Sequence, residues 1–142
     1  MNIRALFLLG IFATALSFVS CTKSNDDPQP NNPQTPASGL WKVSYFFDKQ
    51  EATTDYTNYT FDFTANGILI VKNGNQTWLG TWTTGSDDSK NKFVIAFSGN
   101  VPSALSELAE DWLIISMTDT AMHFEHTSGG NGGTDVLKFT KI

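Results

Sequence analysis

The chain has 142 residues, 40% of them hydrophobic and 13% aromatic, which is enough for one globular core and too apolar for a disordered chain. Nine Lys+Arg against 14 Asp+Glu give a formal net charge of −5, which argues against a nucleic-acid binder. A single cysteine excludes an intramolecular disulfide.

Residues 1–20 read as a secretory signal. Arg4 supplies the positive start, and an uncharged run of Leu, Phe, Ile and Ala reaches Val19. That run of about 15 residues is short of the ~20 a membrane-spanning helix needs. Cys21 follows directly, and Phe18-Val19-Ser20-Cys21 resembles a bacterial lipobox, with Ser20 in the small position before the cysteine. The resemblance implies acylation of Cys21 after cleavage and a lipid anchor in the outer membrane. Stable anchoring requires more than one acyl chain.

Residues 21–38 read as the acylated cysteine and a tether. Pro28, Pro30, Pro33 and Pro36 lie among Asn, Gln, Ser and Asp, with no apolar period. At ~3.1 Å per residue such a tether reaches up to ~50 Å. Asp26-Asp27 resembles the acidic surface-export signal of Bacteroidota lipoproteins, which leaves the periplasmic and the cell-surface face both open.

Residues 39–142 form the domain and alternate with period two almost throughout. The first strand, Leu40–Asp48, places Trp41, Val43, Tyr45 and Phe47 on one face. Strand 57–64 does the same with Tyr59, Phe61 and Phe63, and Asn66-Gly67 signals a tight hairpin into strand 68–72. After Gly74-Asn75, strand 76–84 carries Trp78, Gly80 and Trp82 on one face. Gly80 is the one inward position without a side chain, which marks either a cavity mouth or a bend. Residues 85–91 read as a polar loop, and strand 92–98 carries Phe93, Ile95 and Phe97.

The period then changes. Leu105, Leu108 and Trp112 recur at helical spacing after Pro102, predicting a helix of two or three turns. Strand 112–118 is apolar on both faces; its inward set is taken as Leu113, Ile115 and Met117, with Trp112 and Ile114 outward. Asp119-Thr120 turns the chain into strand Ala121–Thr127, a glycine-rich connection spans 128–133, and the last strand spans 134–142 with Leu137 and Phe139 inward.

Eight short antiparallel strands and one short helix before the sixth predict an all-β fold, an up-and-down barrel in preference to a flattened sandwich. Gly39-Leu40-Trp41 is similar to the G-x-W signature that opens lipocalin-like barrels. The leader, segment 105–112 and loop 128–135 resemble those of small lipocalin-like lipoproteins of Bacteroidota. The family brings no common ligand.

An eight-stranded barrel is either filled by side chains or just wide enough for one small ligand. If it is hollow, Tyr45, Phe61, Trp78, Trp82, Ile95, Phe124 and Phe139 are the expected contacts to a small apolar or amphipathic ligand, with Tyr45 and the indole N–H groups orienting it. If it is solid, a monomeric module contacts a protein or glycan partner through its outer face or its loops.

Catalytic patterns are not expected. The one thiol precedes the domain, no G-x-S-x-G elbow occurs, and the carboxylate pairs Asp26/Asp27 and Asp87/Asp88 fall in tether and loop. The loop at 128–133 leads into a strand, not into the helix N-terminus that a phosphate loop requires. His123 and His126 are three apart in a strand and so face opposite ways, with no third metal ligand near in sequence. No metal site or cofactor is therefore expected. Asp119-Thr120-Ala121 resembles the O-glycosylation motif of Bacteroidota secreted proteins, which makes Thr120 the expected modified residue.

Overall fold

Side chains of alternating polarity become strands with one buried face, and eight of them form a barrel wall in the computed structural model, which describes residues 35–127 and 133–142. The strands are β1 (Leu40–Asp48), β2 (Tyr59–Phe63), β3 (Ile68–Asn73), β4 (Gln76–Asp87), β5 (Lys90–Phe97), β6 (Asp111–Met117), β7 (Ala121–Thr127) and β8 (Thr134–Lys141). Each pairs antiparallel with the next in chain order, and β1 also pairs with β8. That last ladder runs from Trp41↔Lys141 to Phe47↔Val136 and closes the sheet. The fold is thus an eight-stranded antiparallel barrel, lipocalin-like in general form. Closure gives each described barrel strand a neighbour on both sides. The leader, Cys21, the tether up to residue 34 and loop residues 128–132 lie outside the described residues.

The chain between β1 and β2 holds elements that the sequence pattern does not announce. A two-residue strand, Gln50–Glu51, folds back on β1, and a 3-10 turn, η1 (Thr53–Tyr56), follows. The Phe46 amide donates to Thr53 Oγ1 at 2.9 Å, and the Ala52 amide donates to the Phe46 carbonyl at 3.0 Å. These bonds bring Tyr56 inward to 1% exposure.

Three expectations are corrected. The polar loop expected at 85–91 is mostly strand: β4 runs to Asp87 and β5 starts at Lys90, joined by Asp88 and Ser89 at φ 46° and 63°. Two consecutive positive φ values give the I′-type geometry that matches strand twist. The helix expected to make two or three turns is one turn, α1 (Ser103–Ser106), because Leu108 already returns to a shorter bond with the Leu105 carbonyl at 3.2 Å. Its apolar spacing still works, since Leu105 and Leu108 are both fully buried. The third correction concerns phase in two strands.

In β1 the ladder with β8 shifts between Val43 and Tyr45, so Ser44 is an extra residue. A bulge of this kind flips every later side chain to the other face. Trp41 and Val43 point inward, but Phe46 then takes the inward place (1% exposed), while Tyr45 and Phe47 are only half-buried. In β6 the ladder with β7 shifts between Ile114 and Ser116. Trp112 (1%) and Ile114 therefore pack inward before the bulge and Met117 after it, and Ile115 is 44% exposed. The outward face expected of Trp112 and Ile114 does not exist.

The interior is a continuous aromatic stack. Phe93 stacks on Phe124 with centroids 4.7 Å apart and on Trp82 at 5.8 Å. Phe139 meets Phe61 and Phe63 edge-on at 5.1 and 5.4 Å. Such pairs contribute about 0.5–1.5 kcal/mol each beyond the area they bury. One barrel end carries η1 and α1. The other carries the start of β1, where the indole N–H of Trp41 donates to the Ala37 carbonyl at 3.1 Å.

Candidate functional site

The seven residues expected to contact a ligand fall in three places. Phe61, Trp82, Ile95, Phe124 and Phe139 face the interior and are between 0% and 5% exposed. Phe93 bridges Trp82 to Phe124, and Phe61 touches Phe139, so these residues do meet, largely through one another. The Trp82 indole N–H is committed to the Thr64 carbonyl at 2.9 Å.

Trp78 lies inward but near the helix-side end of β4, where it is half-buried. Its ring sits 5.8 Å from that of Tyr59. Phe97, also half-buried, lies across the ladder from Gly80. A Cβ on Gly80 would come within 2.8 Å of Phe97 Cδ1. Gly80 thus marks a close approach of Phe97, not an empty mouth. Val101, just before α1, and Ala104, within it, are also partly buried against the core.

Tyr45 is on the outer wall. The bulge at Ser44 sets it opposite Lys138, whose Nζ lies 5.5 Å above the ring centroid. Its place in an inward-facing set is therefore not realised. Thr120 sits exposed in the β6–β7 turn, with its backbone carbonyl accepting from the Lys141 amide at 3.0 Å.

A polar group at the helix-side end escaped the sequence reading. Met122 and Phe124 face inward on β7, and the same phase carries His126 inward. Leu137 and Phe139 face inward on β8, and the same phase carries Asp135, which is 8% exposed. The two are direct cross-strand partners, with His126 Nδ1 3.6 Å from Asp135 Oδ2. On the other side, His126 Nε2 lies 3.7 Å from Asp111 Oδ1 and 3.9 Å from Glu110 Oε2. Lys92 Nζ holds the other Asp111 oxygen at 3.2 Å. The Trp112 ring stands edge-on to the imidazole at 6.0 Å. Glu110, Asp111 and His126 each offer a donor atom, all within 4.8 Å of one another.

The period-two phase was the available signal for His126 and Asp135. No signal joins Glu110 and Asp111 to His126, because the β6–β7 pairing that joins them is a tertiary fact. His123 points outward and pairs with Glu125 at 3.5 Å. Desolvation, then the Lys138 ammonium, push its pKa below the usual histidine value against the opposing pull of Glu125.

Set against protein-family models, characterised proteins and solved structures, the chain matches none.

Proposed function

We propose that this chain is a monomeric, lipid-anchored envelope protein whose barrel is a non-catalytic binder of a small apolar or amphipathic ligand. Its leader directs export, and acylated Cys21 holds it at the outer membrane on the periplasmic or the cell-surface face. The ligand sits at the helix-side mouth, on Trp78 and Phe97. The observation that carries this reading is the contrast between Trp78 and the other interior rings. Trp78 is half-buried where Phe61, Phe124 and Phe139 are at most 1% exposed. A half-open indole above a rigid aromatic floor is a surface on which an apolar group gains contact without opening the core.

The test is native mass spectrometry of the mature chain extracted gently from its own envelope. A bound small molecule that is lost on denaturation and in Trp78→Ala supports the reading. A clean protein mass in the wild type sinks it. Incorporation of labelled palmitate, abolished in Cys21→Ser, tests the anchor separately.

One observation favours a second reading, a solid module that contacts a protein or glycan partner. The interior rings touch one another through the barrel centre. Leu79, Ile68 and Val94, at 61%, 39% and 36% exposure, place large apolar side chains on the outer wall of β3–β5. A clean native mass would turn the search to this face.

A further inference from the structure

We propose that Glu110, Asp111 and His126 form a divalent transition-metal site at the helix-side end of the barrel, with Zn²⁺ as its ordinary type of occupant. This inference is independent of the ligand at Trp78.

Three points of geometry carry it. First, the donor set is mixed. An imidazole nitrogen with two carboxylates suits zinc and its neighbours, whereas Ca²⁺ and Mg²⁺ take all-oxygen shells. Second, the spacing fits. Ligands at about 2.0–2.2 Å from a tetrahedral zinc stand roughly 3.3–3.5 Å from one another. The imidazole Nε2 is 3.7 Å from the Asp111 oxygen and 3.9 Å from the Glu110 oxygen. Each of these two distances needs a contraction of roughly half an ångström, within reach of side-chain rotation, and all three donor atoms already lie within 4.8 Å of one another.

Third, a carboxylate stands close to the other ring nitrogen, within a small rotation of the hydrogen bond that a metal-bound histidine needs. In such sites the second ring nitrogen is held by a carboxylate or carbonyl, which fixes tautomer and orientation. Here Asp135, only 8% exposed, lies 3.6 Å from His126 Nδ1, leaving Nε2 turned to Glu110 and Asp111. Lys92 takes Asp111 Oδ2 at 3.2 Å and leaves Oδ1 toward the imidazole. The backbone is equally fixed. The Ile95 amide donates to the Glu110 carbonyl at 3.1 Å, Asp111 pairs with Val94, and His126 pairs with Asp135. Three protein ligands leave a fourth position to water. The competing reading is plain side-chain pairing of His126 with these acids, without a metal.

The experiment titrates ZnCl₂ into the full chain carrying Cys21→Ser, in detergent, by calorimetry and thermal unfolding. The substitution removes the one thiol that could bind zinc elsewhere. One equivalent of Zn²⁺ is expected to bind and to raise the melting temperature, because a metal bound only by the folded state stabilises it. Glu110→Gln, at an exposed position with no part in the core, is expected to weaken binding at least tenfold, and His126→Gln to abolish it. His123→Gln, on the outer wall, is expected to leave it unchanged. Absence of binding at millimolar Zn²⁺ overturns the site and supports plain pairing. So does binding that survives Glu110→Gln and His126→Gln with unchanged affinity.

Discussion

The Tyr56 hydroxyl donates to the Ala104 carbonyl at 2.7 Å, joining η1 to α1 across 48 residues of sequence. The bond holds the helical turn over one barrel end, where Leu105 and Leu108 are fully buried. Tyr56→Phe keeps the ring and its edge contact with Phe46, at 5.1 Å, and removes only the hydroxyl. The Ala104 carbonyl then loses its donor, and the expected cost is about 1–2 kcal/mol in urea unfolding.

The same hydroxyl sets an alkaline limit. Burial, and then the charge of Glu107, push its pKa well above the usual tyrosine value. The folded state therefore keeps a proton that the unfolded state loses above pH 10, and stability falls as pH rises past that value. Tyr56→Phe is expected to shed that alkaline dependence.

Gly80 lies where no side chain fits. A Cβ there would stand 2.6 Å from the Ala96 carbonyl oxygen and 2.8 Å from Phe97 Cδ1. The backbone oxygen is held in the β4–β5 ladder and cannot yield cheaply. Gly80→Ala is expected to destabilise by about 1–3 kcal/mol through overpacking and to shift Phe97, visible as changed ring resonances in NMR.

His123 makes stability depend on mildly acid pH. Its folded pKa lies below the ordinary value of 6.5, so the unfolded state takes up its proton first as the pH falls. The contribution is fully present above 6.5 and declines as the pH drops through the lowered value. The ring is near the surface and the effect is correspondingly small. An NMR titration of the His123 ring midpoint below 6.5 is the check, and a midpoint at or above that value refutes the assignment.

The barrel was legible because its information is local. Period-two runs, Asn66-Gly67 and Gly74-Asn75 fix strands and hairpins within a few residues of chain, and the ladders confirm them. What escaped was set by partners far away. The bulges at Ser44 and Ile115 leave no mark in composition, because an extra residue in one strand is defined only against β8 or β7. An apolar run such as Tyr45-Phe46-Phe47 satisfies either phase. In β6 the run Trp112–Ile115 is apolar on both faces for the same reason: the inward set changes face at the bulge. Of the polar end, Asp135 and His126 were legible from phase alone, while Glu110 and Asp111 became their neighbours only through strand pairing.

The bulge in β1 can be tested by a pair of substitutions one residue apart. Unbroken alternation would make Tyr45 the core residue and Phe46 the surface one. The register shift reverses them: Phe46 is 1% exposed and meets Tyr56 and Trp112 at 5.1 and 6.4 Å, whereas Tyr45 lies under Lys138 on the outer wall. Phe46→Ala is expected to cost about 3–5 kcal/mol, a large share of a small domain's stability. Tyr45→Ala is expected to cost about 1 kcal/mol or less, the scale of an exposed cation–π contact. Chemical denaturation of the two variants decides the register. Equal costs, or a larger cost for Tyr45→Ala, would mean that β1 runs without the bulge and that Tyr45 belongs to the interior after all.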